Sequence, residues 1–308
     1  MVSDPQDLAV LMAAISTPMH ADESLHTERL SALVDSYIGR GVEGIYCCGS
    51  SGEGLLLSLD ERQRVVETAC DAANGRVPVG AHVGCMTTAD SIRLARHAQA
   101  CGVAAVSMIP PIYYQLPGSA LIAHYQAMIE SISVPMVVYD VPQLTGVQLD
   151  SSMMSRLLEL DGVAGVKYTS KDMFLLERAV AHHPDKTYIG GFDETLVSAM
   201  AAGATGAIGT MIGFQFELFA AARRRLRAGD LAGAQQVQAR INEVVAELIA
   251  IDVFPAAKYL AGRPVGDLGP CRRPFAPLSR ESKARLDRLV DRLAELIELT
   301  ERDERSGR

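Results

Sequence analysis

The chain lacks any apolar run of the ~18 residues that a bilayer crossing needs, so no membrane span is expected. It also lacks an excess of positive charge. Lys and Arg number 29 against 37 Asp and Glu, a formal net charge of −8. That balance argues against nucleic acid or an anionic membrane surface as a partner. The six cysteines lack C-x-x-C spacing: Cys47 and Cys48 are adjacent and the rest are scattered. They read as reduced, buried thiols and not as a disulfide framework or a zinc site. The seven histidines lack H-E-x-x-H spacing and read as core or surface residues. The N-terminal MVSDPQDLAVLMAAIST has no basic n-region. It reads as the approach to a first strand and not as a signal peptide, and a cytoplasmic protein is expected. Two nucleotide signatures are missing as well. No G-x-G-x-x-G turn follows the second apolar run, which disfavours a dinucleotide fold, and GSSGEG (49–54) has no Walker A lysine. There is no short-period repeat and no low-complexity linker.

What is present is an alternation. With 308 residues and 48% hydrophobic content, the chain can form one large α/β barrel or two ordinary domains. Nearly continuous apolar runs lie at 9–17, 44–49, 77–84, 104–111, 134–142, 163–170, 187–194 and 206–211. Helical patterns follow each in turn, at 25–40, 58–74, 87–102, 119–133, 150–160, 173–184, 195–204 and 214–229. Runs of this kind suit parallel strands covered on both faces. About eight βα units over about 225 residues predict a (β/α)8 barrel, with an open doubly wound sheet as the alternative. Ser58 and Glu61 form a capping-box pattern at the second helix. Beyond residue 229 the strands stop, and 230–251, 255–263 and 279–308 read as helices. The expected organisation is a barrel domain over 1–229 and a helical domain over 230–308, with a polar tail frayed from about Glu301.

In such a barrel, function collects where strands end and βα loops begin. The second strand ends in GSSGEG, the fourth in PPIYY (110–114), the fifth in YDVPQLTG (139–146), the seventh in GGFDE (190–194) and the eighth in GT (209–210). The sixth carries GVKYTS (165–170), which places Lys167 at the end of an apolar run. A lysine there either snorkels outward or is an amine desolvated for chemistry. Polar groups from six strand ends facing one mouth favour chemistry. GSSGEG reads either as an anion-cradling turn with two hydroxyls, Ser50 and Ser51, or as a tight βα turn with an N-capping serine. Glu53 in that turn reads as structural more than catalytic. Tyr139 either packs or serves a nearby lysine as a proton carrier, and Tyr113 and Tyr114 offer the same phenol chemistry. Asp193 and Glu194 either bind substrate hydroxyls or, if His82 lies near, chelate a metal.

GSSGE, YDVPQLTG, GVKYTS and GGFDE, in this order and spacing, resemble the dihydrodipicolinate synthase and N-acetylneuraminate lyase superfamily of class I aldolases. The resemblance runs from the first strand to CRRPFAPL (271–278), nearly the whole chain. It implies a (β/α)8 barrel with a helical C-terminal extension, a homotetramer, a small 2-oxo acid substrate and no metal or organic cofactor. It implies that Lys167 forms a Schiff base with the 2-oxo acid and that Tyr139 transfers the proton. Ser50 and Ser51 would bind the pyruvyl carboxylate, and Tyr113 would be lent across a dimer interface. Synthases follow the catalytic tyrosine with Asn-x-Pro-x-Arg-Thr, but Leu144 stands here where that arginine would be, and leucine cannot clamp a carboxylate. P-x-L-T-G-V, K-x-T-S and G-F-D-E look like the lyase subgroup. In it, the counterparts of Thr169, Gly191, Asp193 and Glu194 contact the sugar hydroxyls, with Ile208 and Thr210 on the eighth strand beside them. GTMIG (209–213) departs from the lyases' Gly-Ser-Thr-Tyr-Asn, and Ser51 from their Thr, so the acceptor sugar is left open. The expected activity is cleavage of a 2-oxo-3-deoxy sugar acid to pyruvate and an aldose. The alternatives are a synthase or dehydratase acting on pyruvate, and a non-catalytic 2-oxo acid sensor.

Overall fold

The computed structural model describes residues 8–306. The first seven residues of the expected N-terminal approach, and the last two of the tail, lie outside them. Eight strands, β1 (Leu11–Ala14), β2 (Gly44–Cys47), β3 (Val79–His82), β4 (Ala105–Met108), β5 (Met136–Asp140), β6 (Val163–Tyr168), β7 (Thr187–Gly190) and β8 (Gly206–Gly209), close into a barrel in chain order. All neighbours are parallel, and β1 pairs with both β2 and β8. The helices between them are α1 (Thr27–Gly39), α2 (Leu59–Ala73), α3 (Thr88–Ala100), α4 (Gly118–Ile129), α5 (Pro142–Thr145), α6 (Ser151–Leu158), α7 (Met173–His182), α8 (Leu196–Ala201) and α9 (Phe216–Arg227). This is the (β/α)8 barrel that the alternation predicts. The short α5 was not expected from the sequence, and the seventh run ends as a strand at Gly190, with Asp193–Thr195 in a single 3-10 turn.

Strand alternation divides the core into two shells. Met12, Ala14, Tyr46, Ala105, Val137, Ala164, Ile189 and Ile208 fill the barrel interior. Leu11, Ala13, Ile45, Val79, Val106, Val138 and Val166 point outward against the helices. Strand β6 breaks the alternation: its register against β5 shifts between Met136 and Val137, so that Met136 faces Val163 but Val137 faces Gly165. The extra residue is a bulge of the kind that re-aims a side chain. It lets Ala164 and Lys167, three positions apart, both turn inward. Gly165 is required at this point, because a Cβ there would lie 1.9 Å from the Thr187 carbonyl oxygen.

Three further helices, α10 (Leu231–Ile251), α11 (Val253–Ala261) and α12 (Arg280–Ser306), follow the barrel. Ala234, Val237, Ile241, Val244, Val245 and Leu248 form the buried stripe of α10, at the i, i+3, i+4 spacing of an amphipathic helix. Contrary to the expected fraying from Glu301, α12 continues to Ser306. Asp303 takes a 2.5 Å hydrogen bond from Arg240 and Glu304 a 2.7 Å bond from Arg224, which tie its end to α10 and α9. The capping box is present: Ser58 accepts from the Glu61 amide and Glu61 from the Ser58 amide. Among the described residues no helix is long and apolar enough to cross a membrane.

Candidate active site

A cavity of about 280 Å³ opens at the C-terminal mouth of the barrel. Ser50, Ser51, Tyr139, Lys167, Thr169, Gly191, Asp193, Glu194, Ile208 and Thr210 all line it. The sequence assigned every one of these to the site, from its strand ends or from the family resemblance, and the barrel brings them together.

Lys167 is 4% exposed, so it does not snorkel. Its Nζ lies 3.6 Å from the centroid of the Tyr139 ring and 3.4 Å from the Thr169 hydroxyl. Tyr139 and Lys167 are direct cross-strand partners in the β5–β6 ladder, which explains the contact. The Tyr139 hydroxyl lies 3.5 Å from Ser50 Oγ. Burial alone would raise the Tyr139 phenol. The charge of Lys167 and hydrogen bonds with Lys167, Ser50 and Thr169 outweigh it, and the phenol titrates below its ordinary value.

The GSSGEG turn is closed by its own backbone: Gly52 and Gly54 donate to the Gly49 carbonyl and Glu53 to that of Ser50. The amides of Ser50 and Ser51 take no part in this closure. Ser51 Oγ is 2.6 Å from Thr210 Oγ1, which joins the ends of β2 and β8. Glu53, held at φ 56°, is structural as expected. It is buried, accepts from Lys258 Nζ at 2.9 Å and from the Arg272 amide at 2.6 Å, and so pins the turn to α11 and the segment after it.

Asp193 sits deeper. Its Oδ2 accepts from the Met211 amide at 3.1 Å, while Oδ1 is buried without a partner. Burial pushes its carboxyl up to about 7. Gly209 makes room for it, since a Cβ there would lie 1.8 Å from Oδ1. The Asp193–Glu194 turn is held from behind by α10: Gln238 donates to the Asp193 carbonyl and Asn242 to that of Glu194. His82 does not join these carboxylates in a chelating group among the described residues. It packs edge-on to Tyr139 instead, with ring centroids 5.8 Å apart.

Tyr113 is not among the residues lining this cavity. It is 85% exposed, at φ 76°, and stacks edge-to-face on Tyr114. Leu144 lies on the cavity wall, 57% exposed. Sequence reasoning missed the wall contributed from beyond the barrel: Val245 and Ile249 of α10, and Val253 and Phe254 of α11. The available signal was a polar pair, Gln238 and Asn242, four residues apart and in line with that apolar face. It also missed Tyr46, whose ring centroid lies 5.7 Å from Lys167 Nζ and whose hydroxyl is 2.5 Å from Ser107 Oγ.

The model of the dihydrodipicolinate synthetase family matches residues 7–293. The N-acetylneuraminate lyase of Rhizobium meliloti (strain 1021) is 39% identical over 281 residues, covering 91% of this chain and 93% of that protein. The N-acetylneuraminate lyase of Enterobacter sp. (strain 638) is 37% identical, covering 94% of this chain and 98% of that protein. Among solved structures, CdNal of Clostridium difficile in complex with mannosamine superposes with a TM-score of 0.90 at 26% identity, covering 92% of this chain and 98% of that one. A catalytic lysine mutant of the Ruminococcus gnavus sialic acid aldolase superposes with a TM-score of 0.89 at 28% identity, covering 97% and 98%.

Proposed function

The chain belongs to the dihydrodipicolinate synthetase family, and from that premise we propose that it is a Schiff-base lyase cleaving an N-acetylneuraminate-like 2-oxo-3-deoxy sugar acid to pyruvate and an aldose. The observation that carries this reading is a buried lysine amine stacked 3.6 Å from a tyrosine ring at the barrel mouth. The relatives named above, N-acetylneuraminate lyases at 37% and 39% identity, support it.

Lys167, as the free amine, attacks the C2 carbonyl of the substrate, and loss of water gives the imine. Ser50 and Ser51 hold the carboxylate of the 2-oxo acid. The protonated imine draws electrons from the C3–C4 bond as Tyr139 takes the proton of the C4 hydroxyl. That bond breaks, the aldose leaves as an aldehyde, and the enamine remains on Lys167. Protonation at C3 and hydrolysis of the imine release pyruvate and restore the amine. This is covalent lysine catalysis with general acid–base assistance.

Asp193, Glu194 and Thr169 are acceptors for hydroxyl donors and suit the polyhydroxylated tail. Leu144 offers no clamp for a second carboxylate. Pyruvate release, followed in a coupled assay over a panel of 2-oxo-3-deoxy sugar acids, is the test. Cleavage of a neutral-tailed member is expected, with weak or no condensation of pyruvate and aspartate semialdehyde. If no sugar acid is cleaved and aspartate semialdehyde is consumed with pyruvate, the synthase reading replaces this one. Binding of pyruvate without any turnover would favour a sensor.

A further inference from the structure

Arg62 is a buried cation for which the reaction above has no use. It lies on the inward face of α2 and is 3% exposed. Among the described residues no carboxylate pairs with it. Its bonds all run to the end of β3 and the residues just after. One terminal nitrogen donates to the Gly84 carbonyl at 2.9 Å and approaches Cys85 Sγ at 3.3 Å. The other donates to the His82 carbonyl at 2.7 Å and lies 3.2 Å from His82 Nδ1. The Nε has no partner. A buried charge without a counter-ion carries a large desolvation cost, so an apolar side chain would serve packing alone better.

What the charge does is hold one imidazole. A guanidinium is always protonated, and it faces His82 Nδ1, while the Ile109 amide donates to Nε2 at 3.3 Å, so the ring is held at both nitrogens. Burial, the Arg62 charge and the Lys167 charge all oppose protonation of His82 and hold it well below its ordinary value. The ring thus locked stands at 89° to the Tyr139 ring. Tyr139 is therefore confined by Lys167 over its face and by a ring that is itself gripped from behind.

We propose that Arg62 and His82 are a positioning pair that sets the orientation of the Tyr139 phenol between Lys167 and Ser50. Neither lines the cavity that holds Lys167. Their effect is on proton transfer and not on imine formation. The inference rests on the Schiff-base reading, and misplacement of a reacting group by about 1 Å can cost about 100-fold in rate.

The test separates these two steps using pyruvate alone. Borohydride trapping of the pyruvate imine reports Lys167. Deuterium exchange into the pyruvate methyl group, followed by NMR, reports enamine formation and hence proton transfer. His82→Gln keeps an acceptor for Arg62 but removes the ring, and Arg62→Leu keeps the ring but releases it. Each variant is expected to trap the imine as wild type does while exchange falls about 10- to 100-fold, and the double variant to be no slower than either single, because the pair acts as one unit. His82→Phe restores a ring without the grip and should recover only part of the rate. Exchange within twofold of wild type in either folded single variant overturns the proposal, as do losses that multiply in the double variant. A wild-type protein that traps no imine overturns the Schiff-base reading and this inference with it. Normal wild-type trapping with unaffected variants overturns this inference alone.

Discussion

Lys167 and Asp140 are both buried in strands, and the two faces of the barrel wall put them to different uses. Lys167 points inward to the cavity, and Lys167→Arg should abolish trapping of a reduced pyruvyl adduct, since a guanidinium stays protonated and is no nucleophile here. Mass spectrometry of the peptide containing Lys167 checks this; an adduct on Lys171 or Lys258 instead would refute the assignment. Asp140 ends β5 next to Tyr139, but alternation turns it away from the cavity, toward Tyr125 and Tyr168, whose phenols are raised by burial first and by the Asp140 charge in addition. Burial pushes its carboxyl up to about 7, against about 3.9 in an unfolded chain. Between these values the folded protein keeps a proton that the unfolded chain has shed, so stability falls as pH rises from about 4 to about 7. Asp140→Asn removes the penalty. Its gain should be roughly 1–4 kcal/mol at pH 8, smaller at pH 5 and absent below about pH 4. Thermal melts over that range decide it, and a gain that does not depend on pH would assign the effect to packing.

Elements beyond the barrel are tied to its mouth by buried polar contacts. Glu53 and Lys258 join the turn after β2 to α11, and both side chains are almost fully buried. Lys258 also donates to the Pro270 carbonyl at 2.6 Å. Removing one partner of a buried pair strands the other charge, which costs about 3–5 kcal/mol. Lys258→Met should therefore lower stability by about that much, and the added change Glu53→Gln should return part of it, because no charge is then left unpaired. Chemical denaturation of the two variants measures both steps. A single variant as stable as wild type would mean that the pair contributes nothing to holding α11. The same α11 supplies Phe254 to the cavity wall, so the stranded charge should also weaken substrate binding.

At the scale of the whole molecule, several exposed apolar side chains lie on loops that follow strands. Tyr113, Tyr114 and Leu116 follow β4, and Leu55 and Leu56 follow β2. Large exposed apolar groups in one region mark an association surface, and the family resemblance points to a homotetramer. Light scattering should give about four times the 33.0 kDa chain mass. Tyr113→Ala should shift the protein toward smaller species and reduce turnover together. A stable, fully active monomer would count against both the assembly and the lending of Tyr113 to a neighbouring site.

Periodicity was enough to determine eight βα units, because parallel strands buried on both faces leave continuous apolar runs and their connecting helices leave a 3.6-residue stripe; closure into a barrel and not an open sheet was decided by the pairing of β1 with β8. The strand ends, and so the residues at the mouth, followed from the same pattern. The direction in which Lys167 points did not follow from it. A strict two-residue alternation from Ala164, which faces the interior, sends Lys167 to the opposite face; only the bulge between β5 and β6 returns it to the cavity. A bulge is a property of two paired strands, and one strand read alone does not reveal it. The wall built by Val245, Ile249, Val253 and Phe254, and the grip of Arg62 on His82, likewise join residues far apart in the chain. Local propensity places each in its helix or strand, but which side chains meet is decided when the helices dock on the closed barrel.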